Sequence, residues 1–391
     1  MSSADTIWAL ASGAGAAGVA VIRVSGPQAR ACVAALAGRV PAPRRAMLRT
    51  LRGPDGSPID QALVLWFPGP GSFTGEECAE FHVHGGSAIV AAVGSALAAV
   101  PGVRLAEPGA FTRRAFEHGK LDLTQAEAIA DLVAAETEAQ RRQAFRQLEG
   151  ELGALYGRWR EALVTALSWL DAEIDFPDEA LPGGLAARAR DALAPLAVEM
   201  ASHLEDGRAG ERVRDGYRVA IIGPVNAGKS SLLNALAGTD AAIVSEQPGT
   251  TRDVVEVRLV LSGQVVWIAD TAGLRETADA IETEGIRRAL ARAVAADLVI
   301  RAAPADSLQP EAAPDEMLVI TKADLDPSGS RGHGLRVSVR TGEGVDALRS
   351  MIGERASVGA AEAAPLTRRR HREGVEQALA DVQAALAALD V

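Results

Sequence analysis

The hydrophobic pattern of this chain changes its period twice. Over residues 1–120, short apolar runs alternate with Ala-rich stretches of helical spacing. Val19-Ala-Val-Ile-Arg-Val24, Ala62-Leu-Val-Leu-Trp-Phe67 and Ala79-Glu-Phe-His-Val83 are β-branched or aromatic and predict strands. Pro27 to Ala37 and Ser87 to Val100 predict helices, the second opened by a Ser N-cap candidate after Gly85-Gly86. These elements make a small α/β domain.

From Thr124 to about Gly207 the strand signals vanish. Apolar residues recur at helical spacing: Ile129, Leu132 and Val133, then Leu148, Leu152 and Leu155, then Leu163, Leu167 and Leu170. Asp175-Phe-Pro177 and Pro182-Gly-Gly184 break this stretch into at least three long helices. At Tyr217 the period changes again. Tyr217 to Ile222, Val254 to Leu261, Val265 to Ala269, Leu298 to Ile300, Met317 to Ile320 and Leu335 to Val337 are six strand candidates. Helical stretches between most of them predict a mainly parallel, doubly wound sheet. After Pro365 the helical composition returns and lasts to Val391. The expected fold is α/β and multidomain. An α/β domain spans 1–120. A helical domain spans 121–210 plus 366–391, with the last helix packing back on 124–207. A six-stranded α/β domain is inserted at 211–365.

Composition narrows this picture. A chain of 391 residues exceeds what one core supports, and 48% hydrophobic content excludes disorder. No apolar run reaches the ~18 residues of a spanning helix, and Met1-Ser-Ser-Ala-Asp-Thr-Ile7 lacks a signal peptide's charged start and apolar core. Cys32 and Cys78 are too few for a disulfide framework and read as small buried hydrophobes. A soluble cytoplasmic protein with no membrane partner is expected. The net charge of −11 is uneven. Residues 1–120 hold eleven Lys/Arg against eight Asp/Glu, whereas 121–210 hold eight against seventeen. Any RNA contact would therefore use a local basic patch such as Arg368-Arg-Arg-His-Arg372, which reads equally well as a solvated helix start.

Only three lysines, Lys120, Lys229 and Lys322, stand against thirty-seven arginines. A compact ammonium on a flexible stem does what a planar guanidinium cannot, so the survivors mark sites. Lys229 belongs to Gly223-Pro-Val-Asn-Ala-Gly-Lys-Ser230, a phosphate-binding loop between a buried strand and the helix Ser231 to Ala237. Asn226, Ala227, Gly228, Lys229, Ser230 and Ser231 would wrap the β-phosphate with N–H groups. Lys229 would reach the β/γ oxygens and Ser230 would ligate Mg²⁺.

The other parts of a GTP site follow in order. Asp270-Thr271-Ala272-Gly273 ends a strand, putting Asp270 near Mg²⁺ and the Gly273 N–H near the γ-phosphate. In Gly249-Thr-Thr-Arg-Asp253, with Thr250 and Thr251, a threonine can close over Mg²⁺; Thr251 is the candidate ligand. Thr321-Lys322-Ala-Asp324 ends the fifth strand, where a carboxylate accepts from guanine N1–H and the 2-amino group. Ser338-Val-Arg340 fits the loop behind the base. These five elements describe a Ras-like P-loop GTPase.

Two departures bear on activity. Thr321 stands where the guanine element usually begins with Asn, so weak, micromolar-range GTP affinity is expected, with guanine preference kept by Asp324. Leu274 stands where many GTPases place a water-orienting glutamine. Arg252, Arg275, Glu276, Asp279 and Glu282 are nearby candidates for that task, together with a cation near Asn226. The Asn226 amide oxygen is a candidate ligand for a monovalent cation bridging α- and γ-phosphates; the alternative is a turn-forming residue.

The phosphate loop with Asn226, Gly249-Thr-Thr-Arg-Asp253, Asp270-Thr-Ala-Gly-Leu-Arg275 and Glu282 resemble the bacterial tRNA-modification GTPases of the MnmE (TrmE) type. So do Gly18 to Gly26, Phe73 to Glu80, His84-Gly-Gly86 and Phe111 to Asp122, so the resemblance covers nearly the whole chain. It implies a K⁺-stimulated GTPase whose G domains dimerise across their nucleotide faces. K⁺ would be held by Asn226 with backbone near Ser245, Gly249 and Thr250, and Glu282 would help position the hydrolytic water. It also implies a homodimer through N-terminal domains that bind a tetrahydrofolate derivative as one-carbon donor, with Arg23, Glu80 and Lys120 at matching positions. Arg23 and Lys120 suit a glutamate-tail carboxylate and Glu80 the amino-pyrimidine edge, or the roles are exchanged. Without the resemblance, Glu80 would read as an exposed strand carboxylate. With an FAD-containing partner, in a heterotetramer, such proteins add a carboxymethylaminomethyl-type group at C5 of the wobble uridine of certain tRNAs.

The chain ends at Asp390-Val391, without the further helices and Cys-x-Gly-Lys tail usual in the family. The expectation is truncation or a protein that works without that thiol, with faces such as Leu170 and Leu379 less covered. The competing functions are a GTP-dependent ribosome-assembly switch and a degenerate paralogue that binds GTP and folate only.

Overall fold

The computed structural model describes residues 5–175, 184–238, 256–270, 296–307, 313, 316–326, 333–360 and 366–389, without the side chains of 206, 207 and 270. It divides into two compact units, 1–127 and 128–391.

The first unit runs β1 (Thr6–Leu10), β2 (Ala20–Ser25), α1 (Ala29–Ala37), β3 (Met47–Arg52), β4 (Pro58–Phe67), β5 (Cys78–Val83), α2 (Ser87–Ala98), β6 (Val103–Leu105) and α3 (Ala110–Glu117). Its six-stranded sheet has the order β3-β4-β5-β2-β1-β6. All neighbours are antiparallel except β1 and β6. Period-2 alternation puts Ile22, Val24, Val64, Phe81 and Val83 into one core with Cys32, Val33 and Leu36 of α1 and Val93 and Leu97 of α2. Alternate positions Arg23, Glu80 and His82 therefore share the other face. The two cysteines are free and buried, and burial pushes the Cys32 thiol up to about 11.

Helix α4 (Leu123–Ala134) carries the chain into the second unit, followed by α5 (Glu138–Leu148), α6 (Glu151–Asp175) and α7 (Leu185–Asp215). Thr137 caps α5 through a reciprocal box with Gln140. Helix α6 stops two residues before Pro177, which disfavours helix at its predecessor. Trp159 and Ala166 of α6 and Leu193, Leu196 and Met200 of α7 pack with Val375 and Val382 of the final helix (Arg369–Leu389). Leu170 and Leu379 sit half-buried at the edge of this core. The basic run is only partly open, with Arg369 and Arg370 exposed at the start of the helix. Arg368 lies 2.8 Å from Asp131, Arg372 lies 3.0 Å from Glu211, and His371 is buried. Its first and last arginines lock the returning chain onto α4 and α7.

Tyr156 lies in the helical core, edge-on to His371 at 6.4 Å, and its hydroxyl finds no hydrogen-bond partner among the described residues. Burial pushes its phenol up to about 12. The folded form thus holds this proton more tightly than the unfolded chain, whose phenol titrates near 10. The stability this group contributes is full below about pH 10 and lost as pH rises toward 12. Tyr156→Phe is expected to remove that alkaline loss and to be no less stable at pH 7, because no hydrogen bond is broken. Denaturant titrations at pH 7 and 11 check this; a loss above about 1 kcal/mol at pH 7 would mean the hydroxyl is bonded.

The rest of the second unit is β7 (Tyr217–Ile222), α8 (Lys229–Ala237), β8 (Glu256–Leu261), β9 (Gln264–Asp270), β10 (Leu298–Pro304), β11 (Glu316–Thr321), β12 (Leu335–Arg336) and α9 (Val345–Ser357), before α10 (Arg369–Leu389). The order is β12-β11-β10-β7-β9-β8, parallel except for the β8–β9 hairpin. Strands covered on both faces read as continuous apolar runs, as in Val219-Ala-Ile-Ile222. Ile221, Ile268, Ile300 and Val319 share a core with Leu232 and Leu236 of α8 and Leu348 and Ile352 of α9. The winding reverses at β7, and a doubly wound sheet binds ligands at the carboxyl end of the strand where it reverses.

Candidate functional site

The loop leaving β7 at that reversal is Gly223 to Gly228. Gly223 has φ 152, and a Cβ there would lie 2.3 Å from the carbonyl oxygen of Ala302 in β10. Only glycine lets this loop cross the neighbouring strand so closely. Asn226 follows in the left-handed region, at φ 63, a conformation Asn tolerates. The residue is exposed, so the turn role is realised at an open position of the loop. Gly228 precedes α8, whose first residue is Lys229. The Lys229 side chain is buried, and its ammonium donates to the carbonyls of Gly223 at 2.9 Å and Pro224 at 2.8 Å. The charge thus lies over the loop, beside the amides at the helix N-terminus. Ser230 and Ser231 are exposed on the first turn.

Two more loops converge at this edge. Buried Thr321, at the end of β11, donates its hydroxyl to the Ala227 carbonyl at 2.6 Å, tying the Thr321–Asp324 element to the phosphate loop. Lys322 is exposed with φ 54, and the chain then makes a 3₁₀ turn at Ala323–Leu325. Asp324 Oδ1 accepts from Ser338 Oγ at 2.6 Å, and Arg340 Nε lies 2.9 Å from Oδ2. The Ser338 hydroxyl first, then the residue's own backbone amide and the Arg340 charge, hold this carboxyl below the usual carboxylate range against the opposing pull of burial. Gly344 closes the Ser338 loop at φ 74, where a Cβ would lie 1.9 Å from the Arg336 carbonyl oxygen. Asp270 ends β9, its backbone paired with Ile221. The candidates at Ser245, Gly249, Thr250, Thr251, Arg252, Thr271, Ala272, Gly273, Leu274, Arg275, Glu276, Asp279 and Glu282 lie outside the described residues.

The first unit holds a separate polar site. Register pairs Arg23 of β2 with Glu80 of β5. Arg23 Nε and Nη2 donate to Glu80 Oε1 at 3.0 and 2.9 Å, while His82 Nε2 lies 3.2 Å from Oε2. Glu80 is therefore not an exposed strand carboxylate; its side chain is 18% exposed and engaged at both oxygens. The guanidinium of Arg23 lies 5.3 Å from the Phe73 ring centroid and 5.9 Å from that of Phe111. Lys120 makes no hydrogen bond or ion pair with Glu80. It donates to the Pro70 carbonyl at 3.2 Å, and His118 Nδ1 lies 2.8 Å from the Thr74 carbonyl. Both hold the loop that presents Phe73. Buried Arg114 supports the same loop, donating to Glu76 Oε2 at 2.9 Å and to the Ser25 carbonyl at 3.2 Å.

Sequence reasoning missed His82, Phe73 and Phe111 as members of this site and Arg340 as a partner of Asp324. The i, i+2 spacing of Glu80 and His82 was an available signal, because alternate strand residues share a face. Among the described residues no group of three or more His, Cys, Asp or Glu gathers as a metal site, and no helix is long and apolar enough to cross a membrane.

Comparison with known proteins bears on the whole chain. The family model described as the GTP-binding protein TrmE N-terminus matches residues 6–120, and that described as the MnmE helical domain matches 123–391. The chain is 54% identical to the tRNA modification GTPase MnmE of Parvibaculum lavamentivorans, over 98% of this chain and 90% of that protein. It is 53% identical to that of Phenylobacterium zucineum, over 96% and 88%. Among solved structures, the G domain of the T. maritima FeoB iron transporter is 28% identical over 36% of this chain and 98% of its own, with a TM-score of 0.27. At that score the likeness carries no weight. Two adjoining family models and relatives more than half identical over nearly the whole of this chain carry the assignment instead: this chain belongs to the MnmE family of tRNA modification GTPases.

Proposed function

We propose that this chain hydrolyses GTP within residues 211–365 and, with an FAD-containing partner, takes part in adding a carboxymethylaminomethyl-type group to C5 of the wobble uridine of certain tRNAs. The observation that carries the GTP reading is the convergence of the Lys229 loop, Thr321 and Asp324 at the carboxyl edge of β7 and β11. The Lys229 ammonium exchanges its two loop carbonyls for β- and γ-phosphate oxygens. Loop amides and the α8 terminus take up the charge that builds on the phosphates during transfer. Asp324 reads guanine, its carboxylate oriented by Ser338.

The donor chemistry of the loop fits the two ions. Ser230 offers a hard hydroxyl oxygen on the first turn of α8, suited to Mg²⁺, which neutralises the β- and γ-oxygens when bound. Asn226, exposed in the loop, offers an amide oxygen that fits K⁺. Together with Leu274 in the glutamine position, this supports the reading that a cation supplies the positive charge other GTPases draw from an arginine, with Glu282 positioning water. GTP hydrolysis is expected to run at least about tenfold faster in KCl than in NaCl, and Asn226→Ala to abolish the difference. Equal rates in the two salts would remove the K⁺ assignment.

For the first unit we propose folate binding at Arg23 and Glu80, in a homodimer formed through residues 1–120. The residues fit a pterin-like ring: a carboxylate for an amino-pyrimidine edge, with Phe73 and Phe111 as aromatic walls. Lys120 acts here through the loop it holds, so Lys120→Ala is expected to weaken folate binding less than Arg23→Ala in a calorimetric titration. The reverse order would put the Lys120 ammonium on the ligand.

A further inference from the structure

The carboxylate assigned to guanine is already engaged by an exposed charge of the protein itself. Its two oxygens are held very differently. Ser338, on Oδ1, is fully buried; its amide donates to the Glu343 carbonyl at 2.9 Å, and its hydroxyl also accepts from the Thr341 amide at 3.3 Å. That contact belongs to a buried, hydrogen-bonded loop. Arg340, whose Nε lies 2.9 Å from Oδ2, has a side chain 77% exposed and no second partner among the described residues. A guanidinium offers N–H donors along one planar edge, the donor type that guanine presents through N1–H and its 2-amino group. On the guanine reading, Arg340 therefore sits on an oxygen that the base would need.

Resting on the assignment of Asp324 as the guanine acceptor, we propose that Arg340 is an internal competitor of guanine: it covers Asp324 Oδ2 and must swing away before the base docks. A site that is competent only part of the time binds with its affinity reduced by the competent fraction, and the reduction falls on association. An exposed ion pair is weak, so the reduction is a few-fold rather than a block. It is electrostatic, so salt weakens it. Even a few-fold reduction would hold down guanine-nucleotide affinity independently of Thr321.

Stopped-flow binding of mant-GDP to the full chain tests this. Arg340→Ala and Arg340→Gln are expected to raise the association rate about two- to fivefold and leave dissociation unchanged, with the gap closing as NaCl rises. Unchanged or slower association, or faster dissociation, would overturn the proposal, the last by showing that Arg340 touches the bound base. Asp324→Asn separates this from the underlying reading. If that variant does not turn from mant-GDP to mant-XDP, the guanine assignment fails and the proposal with it. If it does turn, and Arg340→Ala still leaves mant-GDP association unchanged, only the competitor fails.

Discussion

Lys229→Ala is expected to lower the rate of GTP hydrolysis by about a thousandfold. The ammonium is held inside the loop by the Gly223 and Pro224 carbonyls, at the start of α8, with its stem buried. Among the described residues it is the cation seen to bond this loop, whereas Arg340 stands on the base side with Asp324. Losing it removes positive charge where negative charge accumulates in transfer, and no neighbouring arginine of the described residues replaces it. Lys229→Arg is expected to fail nearly as badly: the planar fork cannot fold over two carbonyls as the compact ammonium does. That a chain with thirty-seven arginines keeps Lys here fits this reasoning. Single-turnover hydrolysis, with thermal melts to show that both variants fold, makes the check. A rate for Lys229→Arg within about tenfold of the parent would show that charge alone suffices.

Asp324→Asn should reduce GTP affinity by roughly a hundredfold and transfer preference to XTP. The amide keeps an acceptor oxygen for Ser338 Oγ, so the loop should hold. The other position becomes an N–H donor, which meets guanine's donors head-on but accepts pairing with the 2-oxo group of xanthine. Competition titrations of GTP against XTP measure the switch. A variant that still prefers GTP would place guanine recognition elsewhere. Since the Ser338 and Arg340 contacts hold the Asp324 carboxyl below its ordinary range, guanine binding should persist with falling pH until that lowered value is reached.

Much of this was legible because the nucleotide elements are local in sequence. Gly223 to Ser230 and Thr321 to Asp324 each form one turn at the end of a strand whose apolar run announces it. Strands β1, β3 and β6 were not legible. Met47-Leu-Arg-Thr-Leu-Arg52 buries only Leu51, so pairing with β4 rather than hydrophobic pattern makes it a strand. The first unit's polar site was hidden for a related reason. Arg23 and Glu80 are 57 residues apart and meet only through the β2–β5 register. Likewise, the basic run at 368–372 changes meaning once Asp131 and Glu211, distant in sequence, are found holding its ends.

The central claim is that GTP hydrolysis by this chain serves tRNA modification. The most direct test is mass spectrometry of wobble nucleosides from a strain lacking the gene, complemented with the parent sequence or with Lys229→Ala. The account predicts that the C5-modified wobble uridine disappears in the deletion, returns with the parent, and stays absent with Lys229→Ala. Unchanged wobble nucleosides in the deletion strain would contradict it.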